Sequence, residues 1–354
     1  MKRSLIIGGV VGVVFMALAF WGVPLEQFAD AMSAIDARYL VPVAALFFVQ
    51  ELLRALRQLI MLRSLAPTMT FRSSLSIFFL SFFCIHLFPA RLGEFVRPWL
   101  LLKREGIPLG SGLGVVVAER AVDLVATLMM LWAVLVFADM PPALTVGGTE
   151  ISLVDAGRAL GLATVPAALL GCFGLAFFHG PMLALLRRIV GVFTRLAPRL
   201  ERPGELLLGF AAAFASGFAT FRQPRRLAAV IGLTATTWGS TAFIYLFMAE
   251  AFGIGDYVGY PEAAGVMVIT MLGGLLPAPP GMAGVQEAFG RGALALFGVK
   301  GVGLDGPALA YAVTVHWFQM LLQSLAAAYF FWADGESLRG LASGAKEAEA
   351  SIEG

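Results

Sequence analysis

Residues Phe71–Leu102 read FRSSLSIFFLSFFCIHLFPARLGEFVRPWLLL, and the six residues Pro89-Ala90-Arg91-Leu92-Gly93-Glu94 in their middle decide how the chain is read. The run before this break is apolar enough for a membrane helix, but only Phe95–Leu102 remains after it. Those few residues, at ~1.5 Å of rise each, cannot cross a hydrocarbon core of ~30 Å. The segment is therefore expected to dip into a bilayer and return as a re-entrant helical hairpin. Residues Glu262–Val299 repeat the pattern, with Pro277-Ala278-Pro279-Pro280-Gly281-Met282-Ala283-Gly284 separating two arms that are again too short to span. The competing reading is that both Pro/Gly runs only kink ordinary helices.

The rest of the chain supplies the solvent for such hairpins. Of 354 residues, 59% are hydrophobic and 14% charged, more apolar surface than a soluble fold of this size buries. Apolar stretches of spanning length are expected at Leu5–Trp21, Tyr39–Leu62, Leu113–Ala138, Gly157–Phe178, Leu227–Phe252 and Pro307–Trp332. Lys2-Arg3 and the Ala17-Leu18-Ala19 triplet make a cleaved signal peptide the alternative for the first stretch, although its apolar run is long for one. The expected fold class is all-α: a polytopic membrane protein of about six full spans plus two oppositely oriented re-entrant helical hairpins.

Charge placement orients this arrangement, because Lys and Arg collect on the cytoplasmic side. With two hairpins, Lys2, Arg3, Arg63, Arg72, Lys103, Arg104 and the arginines at 187, 188, 195, 199, 202, 222, 225 and 226 all fall on one side. Glu26, Asp30, Asp36, Asp139, Glu150, Asp155, Asp256 and Asp305 fall on the other, with only Arg38 and Lys300. Both termini are then cytoplasmic, in an inner (cytoplasmic) membrane, and 181–226 is a basic cytoplasmic segment of one transmembrane domain spanning 1–354. Residues 39–138 and 227–332 become one unit and its inverted copy. Inverted repeats with broken helices at mid-membrane are a transporter plan, since irregular backbone is tolerated there only around a buried or wet site.

Ionisable residues inside such a domain cost about 2.5 to 3.5 kcal/mol each on insertion scales and need partners or a task. Glu51, Arg54 and Arg57 recur at helical spacing, and Glu119, Arg120 and Asp123 cluster on the next long span, with Asp123 near mid-depth. Arg54 and Arg57 also lie close enough to the inner face for snorkelling to explain them. Arg91, Glu94 and Arg97 flank the first break; Gln286, Glu287 and Arg291 follow the second; His316, Gln319 and Gln323 stripe the last span. Helix N-termini beside arginines suit a phosphate-bearing headgroup. The alternative is that these are internal ion pairs holding the hairpins. If one site is shared, Asp123 and Glu287 are expected to line a common polar cavity. Three histidines and two cysteines, Cys84 and Cys172, in no ligand spacing argue against a metal. No nucleotide-binding or hydrolase motif and no nucleic-acid patch occurs, so no cofactor, no nucleic-acid partner and no catalytic residue is expected.

Read together, Pro89–Pro98 (PARLGEFVRP), Glu119–Asp123 (ERAVD) and Pro279–Ala288 (PPGMAGVQEA) resemble the flippase-like membrane family that includes the transmembrane domain of lysylphosphatidylglycerol synthase. Stand-alone relatives in that family are associated with hopanoid or glycolipid pathways. The resemblance covers essentially the whole chain and places Arg91, Glu94, Arg97, Glu119, Arg120, Asp123 and Glu287 at its motif positions. It implies lipid translocation rather than catalysis, and the sequence lacks the soluble aminoacyl-transferase domain of the full synthase. The expected lipid-binding set is Arg54, Arg91, Glu94, Arg97, Glu119, Arg120, Asp123, Gln286, Glu287 and His316. The expected partners are a membrane lipid, a proton as coupling ion and a lipid-synthesising enzyme. The rival readings are a membrane-bound lipid- or sugar-transferring enzyme and a non-transporting subunit that presents lipid to one.

Overall fold

The computed structural model describes residues 2–88, 92–138, 144–146, 149–152, 179–196, 201–274, 276 and 279–353, with scattered positions between 155 and 174. The described chain is helical apart from one antiparallel hairpin, β1 (Leu144–Val146) paired with β2 (Thr149–Ile151). That hairpin departs from the all-α expectation in a short connection only. The span expected at 157–178 is described at scattered positions only, and the tip residues Pro89, Ala90 and Arg91 lie outside the described residues.

Two halves share one order of elements. In the first, α3 (Leu40–Leu62) and α4 (Phe71–Leu87) lead to the break, and α5 (Gly93–Glu105) and α6 (Leu109–Phe137) follow it. Preceding them are α1 (Lys2–Phe20) and α2 (Leu25–Ser33). After α7 (His179–Leu196) and α8 (Glu201–Ser216), the second half repeats the order with α9 (Pro224–Ala251), α10 (Tyr260–Gly273), the second break, α11 (Val285–Leu296) and α12 (Asp305–Asp334). The closing helix is α13 (Leu338–Glu353). Local sequence sets these bounds. Thr70 caps α4 by accepting from the Ser73 N–H, Gly106 ends α5 in the left-handed region, and Pro224 opens α9 where a missing N–H costs nothing.

Among the described residues, three helices are long and apolar enough to cross a membrane, Ala37–Leu62, Leu109–Phe137 and Pro224–Ala251, matching three of the expected spans. The first expected span is a bent pair: the chain turns by 82° between α1 and α2, so the helix stops at Phe20 and α2 leaves at an angle. Nothing in the apolar run of Leu5–Trp21 anticipates α2. The last expected span is α12, 30 residues long, whose middle carries His316, Gln319 and Gln323.

Packing follows one pattern in both halves. Within each, consecutive helices pack (α3 on α4, α4 on α5, α5 on α6; α9 on α10, α10 on α11, α11 on α12). Between them, α6 packs on α10 and α12 on α4, so each half's last long helix covers the other half's first short one. The helices α3 and α9 meet at the centre and run antiparallel, since Arg57 meets Thr234 and Gln50 meets Thr241. Even the flanks correspond, with α1 on α11 and α13 on α5, and α8 on α6 and α2 on α12. Two large apolar cores result, beside a small cluster of Ala19, Val23 and Leu309. One is centred on the second half and includes Val43, Phe47, Tyr245, Met248 and Tyr311; the other is centred on the first and includes Met61, Leu62, Ile77, Leu80, Leu100 and Phe218. Helix α3 contributes to both.

The basic 181–226 segment is more than a solvated connection. Gly114 and Gly217 let the α6 and α8 backbones meet where any Cβ would collide. Phe218 and Phe221 then enter the first-half core, and Thr220 donates to the Met61 carbonyl at 2.9 Å.

Candidate functional site

The site begins on α3, whose 3.6-residue period puts Glu51, Arg54 and Arg57 along one face. Arg57 is 1% exposed and reaches two other helices, α6 and α9. Its Nη1 donates to Asp123 Oδ1 at 2.6 Å and Thr234 Oγ1 at 2.8 Å, and its Nη2 to Glu119 Oε1 and Asp123 Oδ2, both at 3.0 Å. Glu119 and Asp123 are one turn apart on α6, so a single guanidinium binds both. Snorkelling is therefore overturned for Arg57: the carboxylates of α6 hold it inside. Arg54 is less committed, with its side chain 18% exposed and Nη1 3.3 Å from Glu51 Oε1.

The first break extends this cluster. Gly93 opens α5 against the α4 backbone at Cys84 and Ile85, an approach that a Cβ would block. One turn later Arg97, almost fully buried, donates from Nη1 to Glu119 Oε2 at 2.6 Å and from Nε to Ser81 Oγ at 3.3 Å. Its guanidinium lies 5.4 Å from the Phe78 ring centroid and 5.2 Å from that of Phe82. Arg120 lies 5.6 Å from the Phe82 centroid, so two cations share one aromatic ring. Arg120 and Glu94 form the loosest ion pair of the group at 3.8 Å, with side chains 46% and 35% exposed. Four arginines (54, 57, 97, 120) meet four carboxylates (51, 94, 119, 123), which makes the described cluster formally neutral. Arg57 Nε, Arg97 Nη2 and Glu51 Oε2 are buried without a hydrogen-bond partner among the described residues, two donors and an acceptor left open within it. Arg91 lies outside the described residues.

The second break is built differently. Gly284 takes φ +85° against α1 at Gly12, where a side chain has no room, and its N–H donates to Glu287 Oε2 at 2.7 Å. The other carboxylate oxygen of Glu287 lies 2.8 Å from His316 Nδ1 on α12. Glu287 is fully buried and His316 nearly so. Gln286 points to Met282 Sδ at 3.5 Å, away from any arginine. Arg291 ties the break to α1, donating to the Ala19 and Trp21 carbonyls at 2.8 Å and standing 3.5 Å from Asp305. His86, on α4, lies within electrostatic reach of His316, Arg120 and Glu94, between the two groups.

The expected set thus divides. Arg54, Arg97, Glu119 and Asp123 form one cluster with Glu94 and Arg120 at its edge; Glu287 and His316 form a separate pair; Gln286 joins neither. Asp123 and Glu287, expected to line a common cavity, do not touch one another among the described residues: each carboxylate is taken up by its own partners, and no hydrogen bond or ion pair links them. Two apolar grooves of about 240 and 330 Å³ lie between α7 and α8, and neither is lined by a charged residue. Among the described residues no group of three His, Cys, Asp or Glu side chains gathers as a metal site requires.

Sequence reasoning passed over the α9 contribution. Trp238 Nε1 donates to Asp123 Oδ1 at 3.2 Å, Thr234 shares Arg57, and Thr241 bonds Gln50. A run of hydroxyls, Thr234, Thr236, Thr237, Ser240 and Thr241, inside an otherwise apolar helix was the available signal.

At the cytoplasm-facing end expected from the arginines, a second ionic group closes the first half. Asp334 at the end of α12 accepts from Arg72 at 2.8 Å, Arg104 at 2.7 Å and Ser76, while Glu336 takes Lys103 at 2.9 Å and Arg104 at 3.1 Å. Burial pushes the Asp334 carboxyl up, but the Ser76 hydroxyl and the Arg104 and Arg72 guanidiniums outweigh it and hold it below the usual aspartate range.

The family profile described as the lysylphosphatidylglycerol synthase TM region matches residues 5–327. Comparison with curated proteins and with solved structures found no match.

Proposed function

The chain belongs to the family of the lysylphosphatidylglycerol synthase transmembrane region, which makes it a multi-pass membrane protein tied to lipid metabolism; from that premise we propose that it moves an amphipathic lipid with a polar or anionic headgroup between leaflets. The observation that carries this reading is the neutral arginine–carboxylate cluster on α3, α5 and α6, whose centre (Glu51, Arg57, Arg97 and Glu119) is buried and whose edge is the half-exposed Arg120–Glu94 pair. Buried charge deep in an apolar bundle is retained where it has a task. A headgroup phosphate arriving at Arg120 displaces Glu94, whose ion pair is long and partly hydrated, while Arg57 and Arg97 keep the rest of the cluster charged and fixed. Phe82 beneath the two guanidiniums supplies an apolar edge along which the lipid's glycerol or sugar region passes.

In this reading α4–α5 and α10–α11 are re-entrant hairpins. The halves form an inverted repeat in the inner membrane, with both termini cytoplasmic. The antiparallel contact of α3 with α9 and the exchange-symmetric packing of the halves support that arrangement. The two helices after the breaks approach the middle from opposite faces, which is the geometry alternating access requires. No covalent step is assigned to the protein.

The test is lipid movement in liposomes containing only this protein, read as leaflet accessibility of labelled phospholipids, polyprenyl phosphates and hopanoids. Movement of at least one class above that in protein-free liposomes, reduced tenfold or more by Arg120→Ala, is expected. Wild-type protein that moves none of them would remove the transport reading and favour lipid presentation to a separate enzyme.

A further inference from the structure

Arginine is protonated at every pH a cell offers, so the guanidiniums of the first-half cluster exchange no proton. All four carboxylates of the first-half cluster have arginine partners. The second break differs, because its buried carboxylate faces an imidazole instead. We infer that Glu287 and His316 form a proton-binding site and that its proton travels with the lipid, so that an anionic lipid crosses without net charge. This rests on the transport reading above and adds its energy source.

The geometry supports a site rather than a simple helix cap. Capping needs one oxygen of Glu287, which Gly284 N–H occupies at 2.7 Å; the second oxygen is free for that purpose and lies 2.8 Å from His316 Nδ1. Both side chains are buried among apolar neighbours from α1, α10 and α12. With Glu287 ionised and His316 neutral the pair carries one negative charge; one added proton on the imidazole makes it an ion pair of zero net charge. In a low-dielectric bundle the neutral form is the one that tolerates rearrangement of the hairpin, so proton uptake and structural change are linked. The added proton also offsets the one negative charge that an anionic headgroup brings to the neutral first-half cluster.

The ionisable groups on the elements packed against this pair are few. The α1 residues Gly9–Phe20 carry no ionisable side chain. Helix α10 has Glu262 in its first turn, whereas its contact to α11 is made near its other end, through Thr270 and Gly273. On α11 and α12, Arg291 and Asp305 pair with one another toward α1, and α2 presents Glu26 and Asp30 on exposed positions. On the α4 side stands His86, whose Nδ1 lies 2.9 Å from the Phe82 carbonyl, with Arg120 and Glu94 beyond it.

Two measurements on the full chain test this. Imidazole ¹⁵N NMR in nanodiscs, with the three histidines assigned by single His→Asn variants, should show His316 changing protonation between pH 5 and 9 and Glu287→Gln altering that titration. In liposomes, using whichever labelled anionic phospholipid the wild type moves, a one-unit pH gradient should build a leaflet ratio approaching tenfold. A potassium–valinomycin potential of similar size should build none, and Glu287→Gln should lose the response to the pH gradient. A His316 locked in one state across the range overturns the proton site. Lipid movement indifferent to the pH gradient, or driven by the potential, overturns the coupling while transport stands. A wild type that moves no lipid removes transport and coupling together. Glu287→Asp should restore the gradient response in part, whereas a merely structural role leaves that response unchanged in every folded variant.

Discussion

The two halves share helix order and packing but differ in what occupies the break. In the first half, the helix after the break brings Arg97 to Glu119 on α6, where Arg57 of α3 also pairs with Glu119 and Asp123. In the second, the corresponding helix brings a carboxylate to a histidine on α12. One framework therefore carries a permanent-charge site suited to holding a headgroup and a titratable site suited to changing state. The difference teaches that repeating a fold does not repeat its chemistry, because the partner across the break, not the break itself, sets whether charge is constant or switchable.

The sharpest way to break this contrast is at Arg57. Arg57→Ala leaves Glu119 and Asp123 buried with too few cations, and removing one member of a buried pair costs about 3 to 5 kcal/mol. Thermal unfolding in detergent should fall steeply, and Arg57→Ala combined with Glu119→Gln should recover part of the loss. A variant as stable as wild type would mean that the cluster is not structurally coupled. Glycine substitutions at the breaks come next. Gly284→Ala meets both a positive φ and the α1 backbone, and a residue forced into that region costs about 1 to 3 kcal/mol. Gly93→Ala has an ordinary helical conformation and suffers only the clash with α4, so Gly284→Ala should lower thermal stability at least as much.

Glu94→Ala separates function from stability. An exposed ion pair contributes about 0 to 1 kcal/mol, so unfolding should hardly change while lipid movement drops tenfold or more. Loss of folded protein instead would make the Arg120–Glu94 pair a hairpin anchor. The smallest effect is expected at Asp334, where the paired carboxyl sits below its usual range. A depressed folded value adds stability above the unfolded value and loses it as pH falls through the folded one. Wild type should therefore lose its small advantage over Asp334→Asn in acid, and an advantage that instead grows on acidification would contradict the assignment.

Much of this was legible in the sequence, and the illegible part has a physical reason. The breaks announced themselves because proline and glycine interrupt apolar runs too short to span, and the three clear spans because length and composition suffice for them. The membership of the charged cluster was readable for Arg97, Glu119 and Asp123 because buried charge in an apolar segment demands explanation. Partnership was not. Whether Arg57 snorkels or turns inward depends on carboxylates that α6 delivers from 62 and 66 positions away, which no local pattern encodes. The pairing of Glu287 with His316 rather than with the cluster is likewise a matter of which helix covers the break. The α1–α2 bend was hidden because an amphipathic nine-residue helix after an apolar run reads as a loop.

Alternating access around one site requires the two halves to enter the membrane from opposite faces, and two-sided cysteine labelling tests that directly. In a background lacking Cys84 and Cys172, Lys103→Cys and Lys300→Cys should react with a membrane-impermeant maleimide from opposite sides of inverted and right-side-out vesicles. Labelling of both positions from the same side would contradict the inverted arrangement and, with it, the mechanism by which this protein is proposed to move lipid.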